Sequence, residues 1–453
     1  MFLLEKNKRH NYVYAILLIY LLTLSILTLI GLMTEELIIL ALLSPIVMSF
    51  LVVIIFYNFH IGFTTLMLIL PFENLLGIGG AGGIVRYIVF ITALGSLLQG
   101  FLTHNIADLF KQPIFKLILA LNIWSFATIL WSVNSERTLV LSGTIFINLL
   151  LFSIVFLSNR KWLSIYWSSL LISCTCSVIF GSFIARPEGL ENDLDRFTTG
   201  GQDPNDLAGL LLITFSVGVF VFYPKLKSKV SKFLMVFSLS TVLFGAFLTL
   251  SRTGLTSTIV PLSFLVLRKI DKKIPWYLLF VLFIGIIYIC AMDSFNGLLN
   301  VFVFPLFGRF NGLDESTLSR GRMDVWLSAI EVIKHNFLLG VGTGGMPYII
   351  DNYSTEVLSR SAYNSQIGLV AHNIILSVWG EMGLIGITIF VLILFIGFKY
   401  TLALAKKDYW ITGMLVSMIL VLAMGISLSW EHKKIVYILL GSISLLYKYK
   451  NAV

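Results

Sequence analysis

The stretch SRGRMDVWLSAIEVIKHNFLLGVGTGG (residues 319–345) is followed, after a polar segment, by AHNIILSVWGEMGLIGITIF (residues 371–390). The first part carries an arginine pair and a glycine-rich turn. The second opens with His-Asn and continues as an apolar run of the kind that crosses a membrane, which takes about 20 residues. The stretch predicts polar chemistry at the mouth of a membrane-spanning helix, and we expect the chain to be organised around it.

Composition defines the class of protein. Of the 453 residues, 58% are hydrophobic and 12% are charged, whereas a soluble domain averages about 25% charged residues. The chain is therefore predicted to be an all-α polytopic membrane protein. Its cysteines, Cys174, Cys176 and Cys290, lie in apolar runs and indicate neither a disulfide framework nor a zinc site.

About fourteen segments are long and apolar enough to be membrane spans. They are residues 12–32, 37–57, 60–75, 85–103, 116–132, 138–157, 162–184, 206–223, 231–250, 254–267, 275–292, 373–398, 409–428 and 434–447. The third and tenth are short, so we expect them to be tilted, broken or re-entrant. No internal repeat or linker is evident, so residues 1–453 are predicted to form a single membrane domain with both termini in the cytoplasm.

The net charge of +9 is distributed in a way that argues against nucleic acid. Lysines collect in the segments predicted to be cytoplasmic, whereas the outer basic residues are mostly arginines. The outer set is Arg86, Arg137, Arg186, Arg196, Arg252, Arg309, Arg320, Arg322, Lys334, Arg360, Lys433 and Lys434. Arginine suits phosphate and pyrophosphate, so the set indicates an anion site. The alternative is that each arginine pairs with a nearby outer acid.

Two outer segments are long enough to contribute to such a site. Residues 186–206 form a polar loop that ends in Asp203-Pro204-Asn205, a typical helix start. Residues 293–371 form the one long polar stretch, too short for a confident independent domain. We expect this long periplasmic loop to carry short helices and to fold onto the membrane part as a lid.

Within the long loop, residues 319–335 have the pattern of an amphipathic helix. Trp326, Ala329, Ile330 and Ile333 are predicted to share one face. The following Gly340–Gly345 turn could close its N–H groups, that of Gly342 among them, on an anion, or could be only a flexible turn. It lacks the strand-turn-helix context of a dinucleotide site.

Three further positions carry chemistry next to a span. Asn373 is predicted to cap the twelfth span, which leaves His372 at the positive end of that helix, where a neutral imidazole is favoured. A neutral imidazole can act as a general base, although a structural role is the alternative. Arg252, in Ser251-Arg252-Thr253-Gly254, and Arg86 each adjoin apolar spans and should face a cavity or a partner. For Arg86, snorkelling to the interface is the alternative.

These motifs together resemble the O-antigen ligase and polymerase superfamily. They are S-R-T-G at 251–254, G-R-x-x-x-W at 321–326 with G-V-G-x-G-G at 340–345, and H-N-x-x-L-x-x-x-x-E-x-G-L-I-G at 372–386. The resemblance covers about residues 186–400. It implies a bacterial inner-membrane glycosyltransferase with a GT-C-like fold whose active site faces the periplasm.

The resemblance also implies roles for individual residues. Arg252 and Arg322 match the arginines that hold the donor pyrophosphate, and His372 matches the histidine that engages the acceptor hydroxyl. Other residues match the family less closely and are implied to bind pyrophosphate or glycan. They are Arg86, Arg186, Arg196, Arg320, Gly342 and Asn373. The substrates that the resemblance implies are undecaprenyl-pyrophosphate-linked oligosaccharides, and it implies no metal or other cofactor. The implied partners are membrane lipid and a candidate chain-length regulator.

Several functions remain open from the sequence. A polymerase would join two lipid-linked oligosaccharides with inversion, and about fourteen spans favour this version. A ligase would instead transfer the polymer to lipid A-core or another acceptor. A flippase or transporter of lipid-linked oligosaccharides would be expected to show internal repeats and midplane charges, and a non-catalytic scaffold would leave the outer arginines unexplained.

Overall fold

The computed structural model describes residues 58–76, 83–103, 105–181, 197–199, 203–249, 251–268, 320–353, 370–404 and 409–451. The chain divides into the units Met1–Asn58 and Phe59–Val453, and all described residues except Asn58 belong to the second. Regular structure in the described ranges is helical throughout, and seven helices there are long and apolar enough to cross a membrane. The fold is therefore that of an all-α polytopic membrane protein, which confirms the class predicted from composition.

Fourteen α-helices, numbered here in chain order, make up the described part of the molecule. They are α1 Phe59–Ile69, α2 Gly83–Leu102, α3 Ile106–Lys111, α4 Pro113–Ala127, α5 Ser135–Phe156, α6 Arg160–Gly181, α7 Pro204–Val217, α8 Lys229–Leu248, α9 Arg252–Ser257, α10 Ile259–Arg268, α11 Arg320–His335, α12 Ile374–Leu404, α13 Tyr409–Gly425 and α14 Lys434–Asn451.

The candidate spans within the described ranges are all helical. The short candidate at 60–75 is α1 followed by a 3-10 turn, Leu70–Leu76. The short candidate at 254–267 consists of α9 and α10, which meet at Thr258 with helical torsion angles (φ −60°, ψ −25°). The candidates at 12–32, 37–57 and 275–292 lie outside the described residues.

Polar side chains fix the starts of four of these helices. Asn134, Asp203, Ser251 and Asn373 each accept a hydrogen bond from a backbone amide in the first turn of α5, α7, α9 and α12. Such caps satisfy amides that the helix itself leaves unpaired. The predicted caps Asp203 and Asn373 are thereby confirmed.

A kink in α12 admits a loop from the preceding segment. Gly383 has φ +65° and ψ −167°, which breaks the helical hydrogen-bond pattern. The backbone groups released by the break find other partners: the Leu384 amide donates to Phe337 O, and the Trp124 indole donates to Met382 O at 2.8 Å. A broken helix is tolerated at membrane depth only where such partners exist. A Cβ at Gly383 would lie 2.2 Å from the Leu338 carbonyl oxygen, so this close approach requires glycine.

The helix predicted at 319–335 is observed as α11, Arg320–His335. Of the residues predicted to share one face, Ala329 and Ile333 are buried, together with Val325 and Val332, whereas Ile330 is 38% exposed. The buried side chains instead follow the 325, 329, 332 spacing because they pack with Val341, Met346, Ile350 and Ala371 in a small apolar cluster of their own.

Candidate active site at one end of the helix bundle

The S-R-T-G motif lies against the helix start that follows the polar loop. Ser251 Oγ donates to Asn205 Oδ1 at 2.7 Å and accepts from the Gly254 amide at 3.0 Å. A Cβ at Gly254 would lie 2.7 Å from Ala208 Cβ, so glycine lets α9 approach α7 closely. These contacts fix the position of Arg252, the first residue of α9, which is exposed.

A second contact joins the long loop to the His-Asn motif. Trp326 Nε1 donates to the carbonyl oxygen of Ala371 at 2.9 Å. The next residue, His372, is exposed and has φ +45°, an uncommon torsion for a residue other than glycine. The backbone of Arg322 lies one helical turn ahead of Trp326. This hydrogen bond therefore connects the two backbone segments that carry the predicted catalytic residues Arg322 and His372.

The segment between α13 and α14 links these two pairs of motifs. On one side, Asn373 Nδ2 donates to Ile426 O at 3.2 Å, and Ser377 Oγ lies 2.8 Å from Ser429 Oγ. The start of α12, next to His372, is therefore tied to the chain segment that follows α13.

On the other side, the segment reaches the first turn of α7. The Trp430 indole donates to Asp206 Oδ1 at 3.0 Å, and Lys433 Nζ forms an ion pair with Asp206 Oδ2. The Trp430 ring also packs where a side chain at Gly209 would be, since a Cβ there would lie 2.1 Å from the ring. Asp206 adjoins Asn205, so the hydrogen-bonded connection runs from α11 to α9.

A polar cavity of about 270 Å³ opens beside residues 430–434. Its lining combines three carboxylates, two lysines and an imidazole with apolar side chains. The lining residues are Leu70, Glu73, Thr144, Asp203, Asp206, Leu210, Trp430, His432, Lys433, Lys434 and Ile435. Two ion pairs, Lys433 with Asp206 and Lys434 with Glu73, lie in this wall.

Beside the cavity, buried Glu431 pairs with His432, which lies in the cavity wall and is partly buried. His432 Nε2 lies 3.3 Å from Glu431 Oε1, and Asn148 Nδ2 donates to the His432 carbonyl at 3.0 Å. Burial, with a contribution from the Glu381 carboxyl, raises the pKa of Glu431 well above its ordinary value. Burial, together with the charges of Lys433 and Arg137, lowers the pKa of His432 to about 3. The imidazole is therefore neutral at physiological pH.

The glycine-rich turn is packed inside the protein rather than open to a ligand. Gly340, Gly342 and Gly344 all have positive φ. The Val341 and Gly342 amides donate to the carbonyl oxygens of Gly380 and Glu381, each at 2.9 Å. The predicted anion contact of the Gly342 amide would require this hydrogen bond to break.

The same turn is also anchored by side chains and by a carboxyl group. The Thr343 amide donates to Thr128 Oγ1 at 3.1 Å, and Thr138 Oγ1 donates to Thr343 O at 2.8 Å. The Gly344 amide donates to the carboxyl of Glu381, which is 7% exposed. The turn therefore meets a carboxyl group of the protein itself.

The remaining predicted residues are distributed as follows. Arg86 is exposed in the first turn of α2, and the backbone of Arg320 begins α11. Arg186 and Arg196 lie outside the described residues. Asn373 serves as a helix cap, with its side-chain oxygen 3.0 Å from the Ile375 amide.

The sequence analysis counted Lys433 and Lys434 among the outer basic residues but did not connect them with their partners Asp206 and Glu73. The visible signal was the run Trp-Glu-His-Lys-Lys, residues 430–434, between two apolar segments. Glu381 was also missed, although an ionisable residue within a span is by default a functional candidate.

Comparison with known families supports the resemblance drawn from the motifs. Residues 233–391 match the family model described as O-antigen ligase. The matched range contains Arg252, Arg322 and His372, and the resemblance to the O-antigen ligase and polymerase superfamily is thereby confirmed over this part of the chain. No curated protein matches the chain. The match supports the ligase/polymerase class for this multi-pass membrane protein.

Proposed function

We propose that this protein is a GT-C-type glycosyltransferase of a bacterial inner membrane that transfers a glycan from undecaprenyl pyrophosphate to a sugar hydroxyl at the periplasmic face. The observation that carries the proposal is the connected series of contacts from Trp326–Ala371 through residues 426–434 to Asp206 and Asn205–Ser251. This series ties the chain segments that bear Arg322, His372 and Arg252 to one another.

The proposed chemistry follows from these groups. The acceptor hydroxyl attacks the anomeric carbon, the bond from that carbon to the pyrophosphate oxygen breaks, and the configuration is inverted. His372 takes the hydroxyl proton, and Arg252 and Arg322 stabilise the charge that develops on the departing lipid pyrophosphate. The capped starts of the longer helices α7 and α12 would add the positive ends of their dipoles next to these groups.

We favour a polymerase, in which the acceptor is a second lipid-linked repeat unit, on the count of about fourteen candidate spans in the sequence. A ligase that uses lipid A-core is the second candidate, because the matched family model is described as O-antigen ligase. The long loop 293–371 would act as a lid over either acceptor.

The test supplies purified protein with one undecaprenyl-pyrophosphate oligosaccharide and no other acceptor. A ladder of lengthened lipid-linked products, lost in His372→Ala and in Arg322→Ala, supports the polymerase. Transfer only after lipid A-core is added supports the ligase. Absence of transfer in both conditions by folded, lipid-binding protein refutes the proposal, and full activity of Arg322→Ala refutes the role of that arginine.

A further inference from the structure

The 270 Å³ cavity beside Lys433 and Lys434 has no role in the proposed transfer as described above. Its volume is slightly below the range of about 300–1,000 Å³ typical of ligand pockets, so it suits a small group rather than a lipid chain or a whole oligosaccharide. It lies between the first turns of α7 and α14 and the middle of α5, at the end of the bundle that carries Arg252.

The charges in the cavity wall point to a neutral polar ligand. Three carboxylates, those of Glu73, Asp203 and Asp206, face two lysines, so the lining has no excess of positive charge. A pyrophosphate would meet more repulsion than attraction there. Lysine ammonium groups donate and carboxylates accept hydrogen bonds, and a sugar ring offers hydroxyls that both accept and donate.

The pairing of the wall groups leaves capacity for a ligand. Lys433 and the Trp430 indole occupy the two carboxylate oxygens of Asp206, and Lys434 occupies one oxygen of Glu73. Among the described residues, the second Glu73 oxygen and the other ammonium hydrogens of the two lysines have no hydrogen-bond partner. Sugar hydroxyls can complete these hydrogen bonds without breaking either ion pair.

The cavity is also placed next to the predicted pyrophosphate site. Asp206 lines the cavity, and the preceding residue, Asn205, holds Ser251 and thereby the start of α9 at Arg252. A ligand that spans both sites would place its anionic group at Arg252 and a neighbouring polar group in the cavity.

From this juxtaposition we propose that the cavity is a subsite for one uncharged sugar residue, close to the pyrophosphate, of the lipid-linked donor. The inference rests on the proposed function, since it takes the donor to be a lipid pyrophosphate glycan. It adds a recognition site that the transfer chemistry does not require, and it assigns a purpose to the two ion pairs.

The test fills the cavity without removing a charge. Thr144→Phe places a ring in the cavity, and Thr241→Phe is its matched control, because both threonines lie on long apolar helices and donate to the carbonyl four residues earlier. Binding of two probes to purified full-length protein is measured: undecaprenyl pyrophosphate, and undecaprenyl-pyrophosphate oligosaccharide isolated from the native host.

The expected result is that Thr144→Phe weakens binding of the glycan-bearing probe about tenfold, the loss expected for one or two hydrogen bonds to charged groups, and leaves the sugar-free probe unaffected. Thr241→Phe should bind both probes as the wild type does. Equal binding of the glycan-bearing probe by Thr144→Phe and the wild type overturns the subsite, as does equal weakening of both probes.

A second variant covers the case in which Thr144→Phe does not fold. Lys434→Met removes one of the two ammonium groups in the cavity wall and should weaken binding of the glycan-bearing probe selectively, whereas wild-type affinity for that probe overturns the proposal. Failure of the proposed function would be seen separately, as glycan binding by the wild type without any transfer.

Discussion

The indole of Trp326 donates a 2.9 Å hydrogen bond to the carbonyl oxygen of Ala371, and this contact joins two motifs that lie 45 residues apart in the chain. Because Ala371 precedes His372, the contact restricts where the exposed histidine can lie.

Trp326→Phe keeps an aromatic side chain at this position but removes the indole N–H that donates the hydrogen bond. We expect a stability loss of about 1 kcal/mol and a fall in the turnover rate of about tenfold or more, because small displacements of catalytic groups are costly. Trp167→Phe is the control, since it removes a comparable indole hydrogen bond, to Ser442 Oγ at 3.1 Å. If both variants lose turnover equally, the effect is one of general stability.

Ser251→Ala should weaken both the start of α9 and its attachment to α7. Loss of a helix cap costs about 1 kcal/mol, and Asn205 loses its 2.7 Å partner as well. Binding of undecaprenyl pyrophosphate should weaken because Arg252 is displaced, and Ser251→Thr should restore it. Ser263→Ala, which removes an exposed hydroxyl bonded within α10, should bind as the wild type does. Unchanged binding in Ser251→Ala would disprove the link between the cap and Arg252.

Gly383→Ala should prevent the glycine-rich loop from docking in the α12 kink. The added Cβ would lie 2.2 Å from a backbone oxygen, and the torsion angle is unfavourable for alanine. We expect little monodisperse protein after purification. Gly143→Ala, in α5 with nothing within 4 Å of the added atom, should be stable or gain about 0.5–1 kcal/mol. A well-folded Gly383→Ala would contradict the observed packing.

The pKa of Glu431 predicts how stability depends on pH. Because its folded pKa is raised, the protonated form is favoured in the folded protein. Its contribution to stability is complete below the ordinary pKa of about 4.3 and declines as pH rises towards the folded pKa. Glu431→Gln mimics the protonated form, so its melting temperature relative to wild type should rise as pH is increased from about 5 to 8. A constant difference over that range would show that Glu431 has an ordinary pKa.

Local patterns allowed the sequence to predict much of this architecture. The caps Asp203 and Asn373 are read from neighbouring residues, and the spans are read from continuous apolar runs, so both were predictable. Helical spacing indicated one shared face for Ala329, Ile330 and Ile333, but which side of that face is covered depends on packing against Val341 and Ala371, which the local sequence does not show.

The contacts that define the candidate site could not be predicted from local sequence patterns. Asp206 and Lys433 are far apart in sequence, and each has an ordinary local context, so their ion pair depends on how α7 packs against α13, which precedes Lys433. The polar residues 430–434 were visible as a charged run, but the cavity that they line forms only when Glu73 and Thr144 are brought to the same place.

The kink at Gly383 also constrains the order of assembly during synthesis. The turn at 340–345 pairs with Thr128 and Thr138, which are made before it, and with Gly380 and Glu381, which are made after it. Its amides therefore have only some of their partners until α12 has been inserted. The turn can therefore reach its full set of hydrogen bonds only after residues 380–384 have been made, which places its docking late in the formation of the fold.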